Sequence, residues 1–257
     1  MRIAFVFATI AACGTLRPAP DDIADDGGAP AANEGGTSAE FCAAHAGEYF
    51  FCADFEQGTI APFVASDERQ DRGGTLAVVA EDGRHFLRAS LPQCDCNGQG
   101  VLVVFDRAMT EFSGVQRLRV DMDVRFTAAF PTPGAGMSIL GVVTSGTSPF
   151  TANVYLDANG LQISLQTPGF SGARGSSTIP PGEWTSVRMD VDFGGNSTIS
   201  IAPRGQEPVL VATKPAAPTG TPTAPMQIFV GIQRYNDATG PLVVDYDHVA
   251  VKTLPPQ

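Results

Sequence analysis

Residues 117–126 read Arg-Leu-Arg-Val-Asp-Met-Asp-Val-Arg-Phe, with apolar side chains at every even position and charged ones at every odd position. A helix cannot use that pattern. At 3.6 residues per turn it would scatter the apolar set around the cylinder, whereas a strand places the two sets on opposite faces. The stretch therefore commits the chain to a sheet with one dry face and one polar face. A second run repeats it: Val187, Met189, Val191 and Phe193 alternate with Ser186, Arg188, Asp190 and Asp192. Between such runs stand turn signals. Glu81-Asp82-Gly83 separates residues 75–80 from 84–91, and Asp157-Ala158-Asn159-Gly160 separates 153–156 from 161–166, both hairpin signatures. Further strands are expected over 101–105, 137–144, 198–202, 209–213, 227–233 and 242–252, with a Pro/Thr/Ala-rich loop over 214–225. The 28 glycines and 20 prolines favour turns over long helices, and only 38–47 offers a short helix. The expected fold is an all-β sandwich.

The first residues obey a different constraint. Arg2 is followed by an apolar run over 3–12, the size of a signal-peptide core. As a helix that run would cross only about half of a ~30 Å bilayer core, too short to remain as a membrane span. Ile10-Ala11-Ala12-Cys13, followed by Gly14, resembles the lipobox of a bacterial lipoprotein. The resemblance implies cleavage before Cys13 and acylation of that residue (a palmitate-type anchor), so that a lipid membrane becomes a partner. Gly14, where Asp would direct retention, is similar to outer-membrane sorting in diderm bacteria. Residues 1–12 are then a lipoprotein signal peptide, 13–40 a lipidated, acidic flexible tether poor in large apolar residues, and 41–257 the sandwich. The formal net charge is −11, with −5 on residues 14–40 and −7 on 41–257. That balance argues against nucleic acid as a partner, since nonspecific binding needs Lys and Arg to displace counterions.

Four cysteines besides Cys13 remain: Cys42, Cys52, Cys94 and Cys96. In an exported chain an even number points to two disulfides, with three possible connectivities. Cys42–Cys52 would close a short local loop, and Cys94–Cys96 would close on itself in a strained ring. The spacing fits neither common zinc patterns nor a redox Cys-x-x-Cys.

Three segments resemble concanavalin A-like (laminin G-like) jelly-roll domains: Phe51-Cys52-Ala53-Asp54-Phe55-Glu56-Gln57-Gly58 as an opening strand, Pro181-Gly182-Glu183-Trp184 leading into a strand, and Val244-Asp245-Tyr246-Asp247-His248-Val249-Ala250-Val251 as a closing strand. The resemblance implies that opening and closing strands lie side by side. It also implies a structural calcium beside them, with Glu56 and Asp247 as ligands, joined by Asp54 and Asp245; calcium takes six to eight oxygens.

Jelly rolls of this kind include polysaccharide lyases and glycoside hydrolases. The Glu-x-Asp-x-x-Glu strand of laminarinase-type hydrolases is absent. Asp121 and Asp123, with Asp190 and Asp192, share polar faces with Arg119, Arg125 and Arg188, and a cross-strand Arg–Asp ladder accounts for them. Lyases of this fold need a Tyr or His base with a neutralising Arg or Gln. Gln233-Arg234-Tyr235-Asn236 has those residue types without an accompanying motif, and His45, His85 and His248 are scattered. The sequence thus leads to a non-catalytic module that binds glycan or another cell-surface ligand through Tyr155, Tyr235 and Asn236, with Phe150 and Phe170 as further aromatic candidates. A structural interaction domain docking an envelope protein, and an atypical lyase or hydrolase, are the alternatives. Trp184 is expected as a core or strand-edge anchor, and Phe50, Phe51 and Phe55 as mostly core.

Overall fold

The computed structural model describes residues 39–64, 68–70, 73–92, 101–109, 114–127, 136–144, 150–157, 160–167, 169–175, 177–215, 225–234 and 241–256. All lie in the compact unit Gly36–Gln257. Cys13, Cys94, Cys96, Tyr235 and Asn236 fall outside the described residues.

A short helix, α1 (Ala39–Ala44), precedes two antiparallel sheets. In the first sheet the order is β13 (Val209–Pro215), β12 (Asn196–Pro203), β11 (Thr185–Asp192), β6 (Arg117–Phe126), β15 (Leu242–Thr253), β4 (Arg84–Leu91) and β3 (Thr75–Glu81), with β1 (Phe51–Ala53) also paired to β15. In the second it is β10 (Gly169–Arg174), β9 (Gly160–Thr167), β8 (Thr151–Asp157), β7 (Gly136–Thr144), β14 (Met226–Arg234), β5 (Val101–Met109) and β2 (Glu68–Gln70). We call them the charged sheet and the neutral sheet, after their outward faces. The opening and closing strands do lie side by side, with Phe51 opposite Val251.

Sequence pattern and structure agree wherever alternation was strong. Leu118, Val120, Met122, Val124 and Phe126 are all buried, as are Val187, Met189, Val191 and Phe193. The β3–β4 hairpin turns on Asp82 and Gly83, both at positive φ, as a two-residue loop matched to the right-handed strand twist demands. The strands β2 and β10 escaped notice, because Glu-Arg-Gln and the glycine-bearing Gly169–Arg174 carry no apolar alternation. Phe51 and Phe55 enter the core, but Phe50 is half exposed. Phe150, a binding candidate by sequence, is 1% exposed and packs edge-on against Phe193, so it belongs to the core.

Between the sheets, Phe63 links Phe51, Phe55 and Phe105 in one aromatic cluster. Each such ring taken out of water contributes about 1.5–3 kcal/mol. Tyr246 is fully buried, yet its hydroxyl is satisfied: it donates to the Gly231 carbonyl of the opposite sheet at 2.7 Å. Burial, with the nearby Asp245 charge, pushes this phenol well above its ordinary pKa, so it stays a donor.

The disulfide Cys42–Cys52 joins α1 to β1. It closes a loop with a sequence separation of 10. Replacing both cysteines by serine should lower stability by about 2–3 kcal/mol, since the loop is short. Urea denaturation of the double variant measures this; an unchanged midpoint would mean that other contacts alone hold α1.

Candidate functional site

The two outward faces differ in chemistry. On the charged sheet, register places each arginine opposite a carboxylate. Arg119 makes two bonds to Asp190 at 2.6 and 2.7 Å, and Arg188 meets Asp121 at 2.7 Å. Asp245, with no exposed surface, accepts from Arg88 and from Arg125, which also pairs with Glu81. Arg125 and Arg204 lie about the Trp184 ring with guanidinium carbons 4.9 and 5.0 Å from its centroid. Trp184 is thus a strand-edge anchor under guanidinium groups. The expected Arg–Asp ladder is present.

At the β6–β15 register the ladder tightens into a network. A bulge between Asp247 and Ala250 leaves His248 at φ 49°, a conformation costly for a side chain with a Cβ. His248 Nδ1 lies 2.9 Å from Asp123 Oδ2; Arg204 reaches Asp123 at 2.9 Å and Asp247 at 2.6 Å. Ser186 donates to Asp123 at 2.6 Å. Burial works to raise the Asp123 carboxyl, but His248, Arg204 and Ser186 outweigh it and hold the group below its ordinary range. For Asp247, burial wins over His248 and Arg204, and its pKa is raised.

This arrangement bears on the calcium ligands suggested by resemblance. Asp247 is engaged by Arg204, and Asp245 by Arg88 and Arg125; Glu56 accepts a bond from the His85 backbone N–H at 3.2 Å. The structure thus gives Glu56 and Asp247 separate partners, with arginine pairing Asp247 and Asp245 and a backbone N–H bonding Glu56. Among the described residues no group of three or more His, Cys, Asp or Glu could hold a metal ion.

The neutral sheet is built otherwise. On its outward side Gln233, Ser138 and Tyr155 stand directly opposite one another across β14, β7 and β8. With adjacent strands about 4.8 Å apart, the row spans roughly 10 Å. A second row follows: Phe229 pairs with Gly141, and Gly141 with Asn153. Here glycine is required by space. A Cβ on Gly141 would come within 2.0 Å of the Phe229 ring and 2.5 Å of Asn153 Oδ1, and one on Gly136 within 1.5 Å of the Tyr155 hydroxyl. Both β7–β8 and β14–β7 shift register beside this row, so the strands bend at the site. Ser138 and Asn153 are buried, and Ser138 Oγ and Asn153 Oδ1 find no hydrogen-bond partner among the described residues; Gln233 and Tyr155 keep accessible surface. A row of amide, hydroxyl and phenol can hydrogen-bond a carboxylate or a sugar hydroxyl and can carry a proton.

Of the binding residues read from sequence, Tyr155 stands on this face. The Asp121 and Asp123 strands belong to the other sheet, so the arginine–aspartate ladder and β14 do not line one groove. Sequence reasoning passed over Ser138 and Asn153, and reached Gln233 only through its neighbours.

No family model matches the chain, and no curated protein matches it in sequence. Solved structures do resemble it. The endo-β-1,4-glucuronan lyase of the fungus Trichoderma reesei superposes with a TM-score of 0.62 at 16% identity, covering 80% of this chain and 96% of that one. The alginate lyase vAL-1 from Chlorella virus gives 0.53 at 10% identity, over 80% and 100% of the two chains. A cellulose-induced protein gives 0.52 at 14% identity, over 79% and 97%. The fold is that of a jelly-roll β-sandwich. The expectation of a non-catalytic domain is overturned by the lyases among these structures. It rested on the lack of a contiguous motif, a weak ground in a fold whose neighbouring side chains come from different strands.

The opposed shifts in the Asp123–Asp247 network give a pH prediction. Asp123, depressed, contributes stability that is full above the ordinary aspartate value of about 3.9 and is lost as pH falls through its lower folded value. Asp247, raised, works with the opposite sign, losing its contribution as pH rises from about 3.9 through its folded value. Asp123→Asn should therefore destabilise near neutrality, and its deficit should shrink below about pH 4. Asp247→Asn should cost less at neutral pH. Thermal midpoints across pH measure both, and a pH-independent Asp123→Asn deficit would refute the assignment.

Proposed function

We propose that the chain is a polysaccharide lyase for a uronate-containing glycan, with the outward face of the neutral sheet as its substrate face. The observation that carries this reading is the Gln233–Ser138–Tyr155 row. Likeness of fold to a glucuronan lyase and an alginate lyase supports it. The chemistry is a β-elimination. A base removes the proton on the carbon bearing the carboxylate, the neighbouring C–O glycosidic bond breaks, a carbon–carbon double bond forms, and the leaving oxygen takes a proton. No water or redox partner is consumed. That α-proton becomes acidic enough only when the carboxylate's charge is offset. The Gln233 amide is suited to that task by hydrogen bonding, and the Tyr155 hydroxyl to moving the proton. Ser138 and Asn153, beneath them, hold buried polar atoms against the same surface.

Incubation of the full chain with glucuronan and with alginate should generate unsaturated uronyl ends, read by ultraviolet absorbance. Tyr155→Phe should lower kcat by about 10²-fold or more. Gly136→Ala should also lower it, because a methyl there overlaps the Tyr155 hydroxyl and ring and forces that side chain to move. A folded wild-type protein that forms no unsaturated ends, or a Tyr155→Phe variant as active as wild type, would sink the reading.

The same chain reads as an outer-membrane lipoprotein held through Cys13, on the support of Ile10-Ala11-Ala12-Cys13-Gly14. Expressed in a diderm bacterium, it should take up a labelled fatty acid and fractionate with the outer membrane. Cys13→Ser should abolish the label; labelling that survives this change refutes acylation at Cys13.

A further inference from the structure

We propose a second ligand site, on the charged sheet, that binds a neutral sugar unit. A cleft of about 300 Å³ opens there, at the small end of the range for ligand sites. Its aromatic side is Phe41 of α1 and Tyr49, whose rings lie 5.9 Å apart. Its polar side is Asp121, Asp123, Arg188 and Arg204, and Gln206 and Glu207 form an exposed rim.

Three observations set this cleft apart from an ordinary surface hollow. One wall residue is strained: His248 takes φ 49° at the β15 bulge, and the Phe41 ring stacks on its imidazole at 4.4 Å and 14°. Such strain persists only where the surroundings over-determine it, and it clusters at functional sites. The aromatic side is covalently held, because Cys42 follows Phe41 directly and is bonded to Cys52 of β1. The floor is rigid, since buried Asp123 is fixed at once by Arg204, His248 and Ser186.

Charge decides the class of ligand. Arg188 is neutralised by Asp121 at 2.7 Å and by Glu207 at 2.6 Å, and Arg204 by Asp123 and Asp247. The lining therefore has no cationic surplus with which to hold a polyuronate. What it offers is an aromatic surface beside planar carboxylate, guanidinium and amide groups. A pyranose suits both, its C–H face against the ring and its paired hydroxyls toward the planar groups. The site is thereby distinct in specificity from the neutral-sheet face and does not depend on the lyase reading.

Saturation-transfer NMR and calorimetric titration of the full chain with neutral cello-, laminari- and manno-oligosaccharides test this, with an oligoglucuronate for comparison. At least one neutral series should bind with a Kd of about 1 mM or tighter. Tyr49→Ala should weaken it about tenfold or more, and Tyr155→Phe should leave it unchanged. Glu207→Ala, on the exposed rim, is a second variant that does not touch the core and should weaken binding severalfold. No binding of any neutral series by the folded protein would overturn the proposal. So would binding abolished by Tyr155→Phe and indifferent to both cleft variants. Lyase activity is read separately, by the formation of unsaturated uronyl ends.

Discussion

The hydrogen bond from Tyr246 to the Gly231 carbonyl ties one sheet to the other through the middle of an otherwise apolar core. Buried hydroxyls and carbonyls are costly when unpaired, so each group fixes the other's position. Gly231 lies within the register shift that precedes Gln233. Tyr246 lies between Asp245, which clasps two arginines, and Asp247, which opens the His248 network. Three consecutive residues of β15 thus serve the outer ladder, the core and the strained bulge. Around that strand the two faces take their separate characters.

The charged face is built from interactions that satisfy one another. Nearly every guanidinium described there has a carboxylate partner set by β-register, and Asp245 shows how far burial goes before arginine compensates. The neutral face is the opposite case. Its central row is uncharged, and Ser138 and Asn153 hold polar atoms without a partner among the described residues. The two faces thus differ in what they leave over: the charged face spends its ionic groups on one another, and the neutral face keeps buried polar atoms without a partner among the described residues.

How much of this could be read from sequence follows from the range of each signal. Alternation over 117–126 and 186–193 specifies both strand and face, because the period of two is local. Asp82-Gly83 specifies its turn for the same reason. Even the ladder was legible, since Arg and Asp on one polar face have few other uses. Ser138, Asn153 and Gln233 were not, because each is unremarkable within its own strand and gains meaning only from the register of β14, β7 and β8. Nor was Arg204 legible as the partner of Asp247, because it stands just past the end of β12 and only the fold carries it there. The positive φ of His248 was not legible either, since it belongs to a bulge that no local pattern announces.

The bond between Cys42 and Cys52 also sets a mechanical path. A pull exerted on the chain ahead of α1 reaches Cys42 within the helix and passes there into β1, not onward through the turn that follows. The strand β1 lies against β15, in the interior of its sheet. The load is therefore delivered to a strand that pairs with three others, β1, β4 and β6, while Tyr49 and the turn after α1 lie off the load path. In its oxidised form the domain can be tugged from its N-terminal side with the load running through Phe41 into β1 and bypassing Tyr49, the other aromatic wall of the cleft.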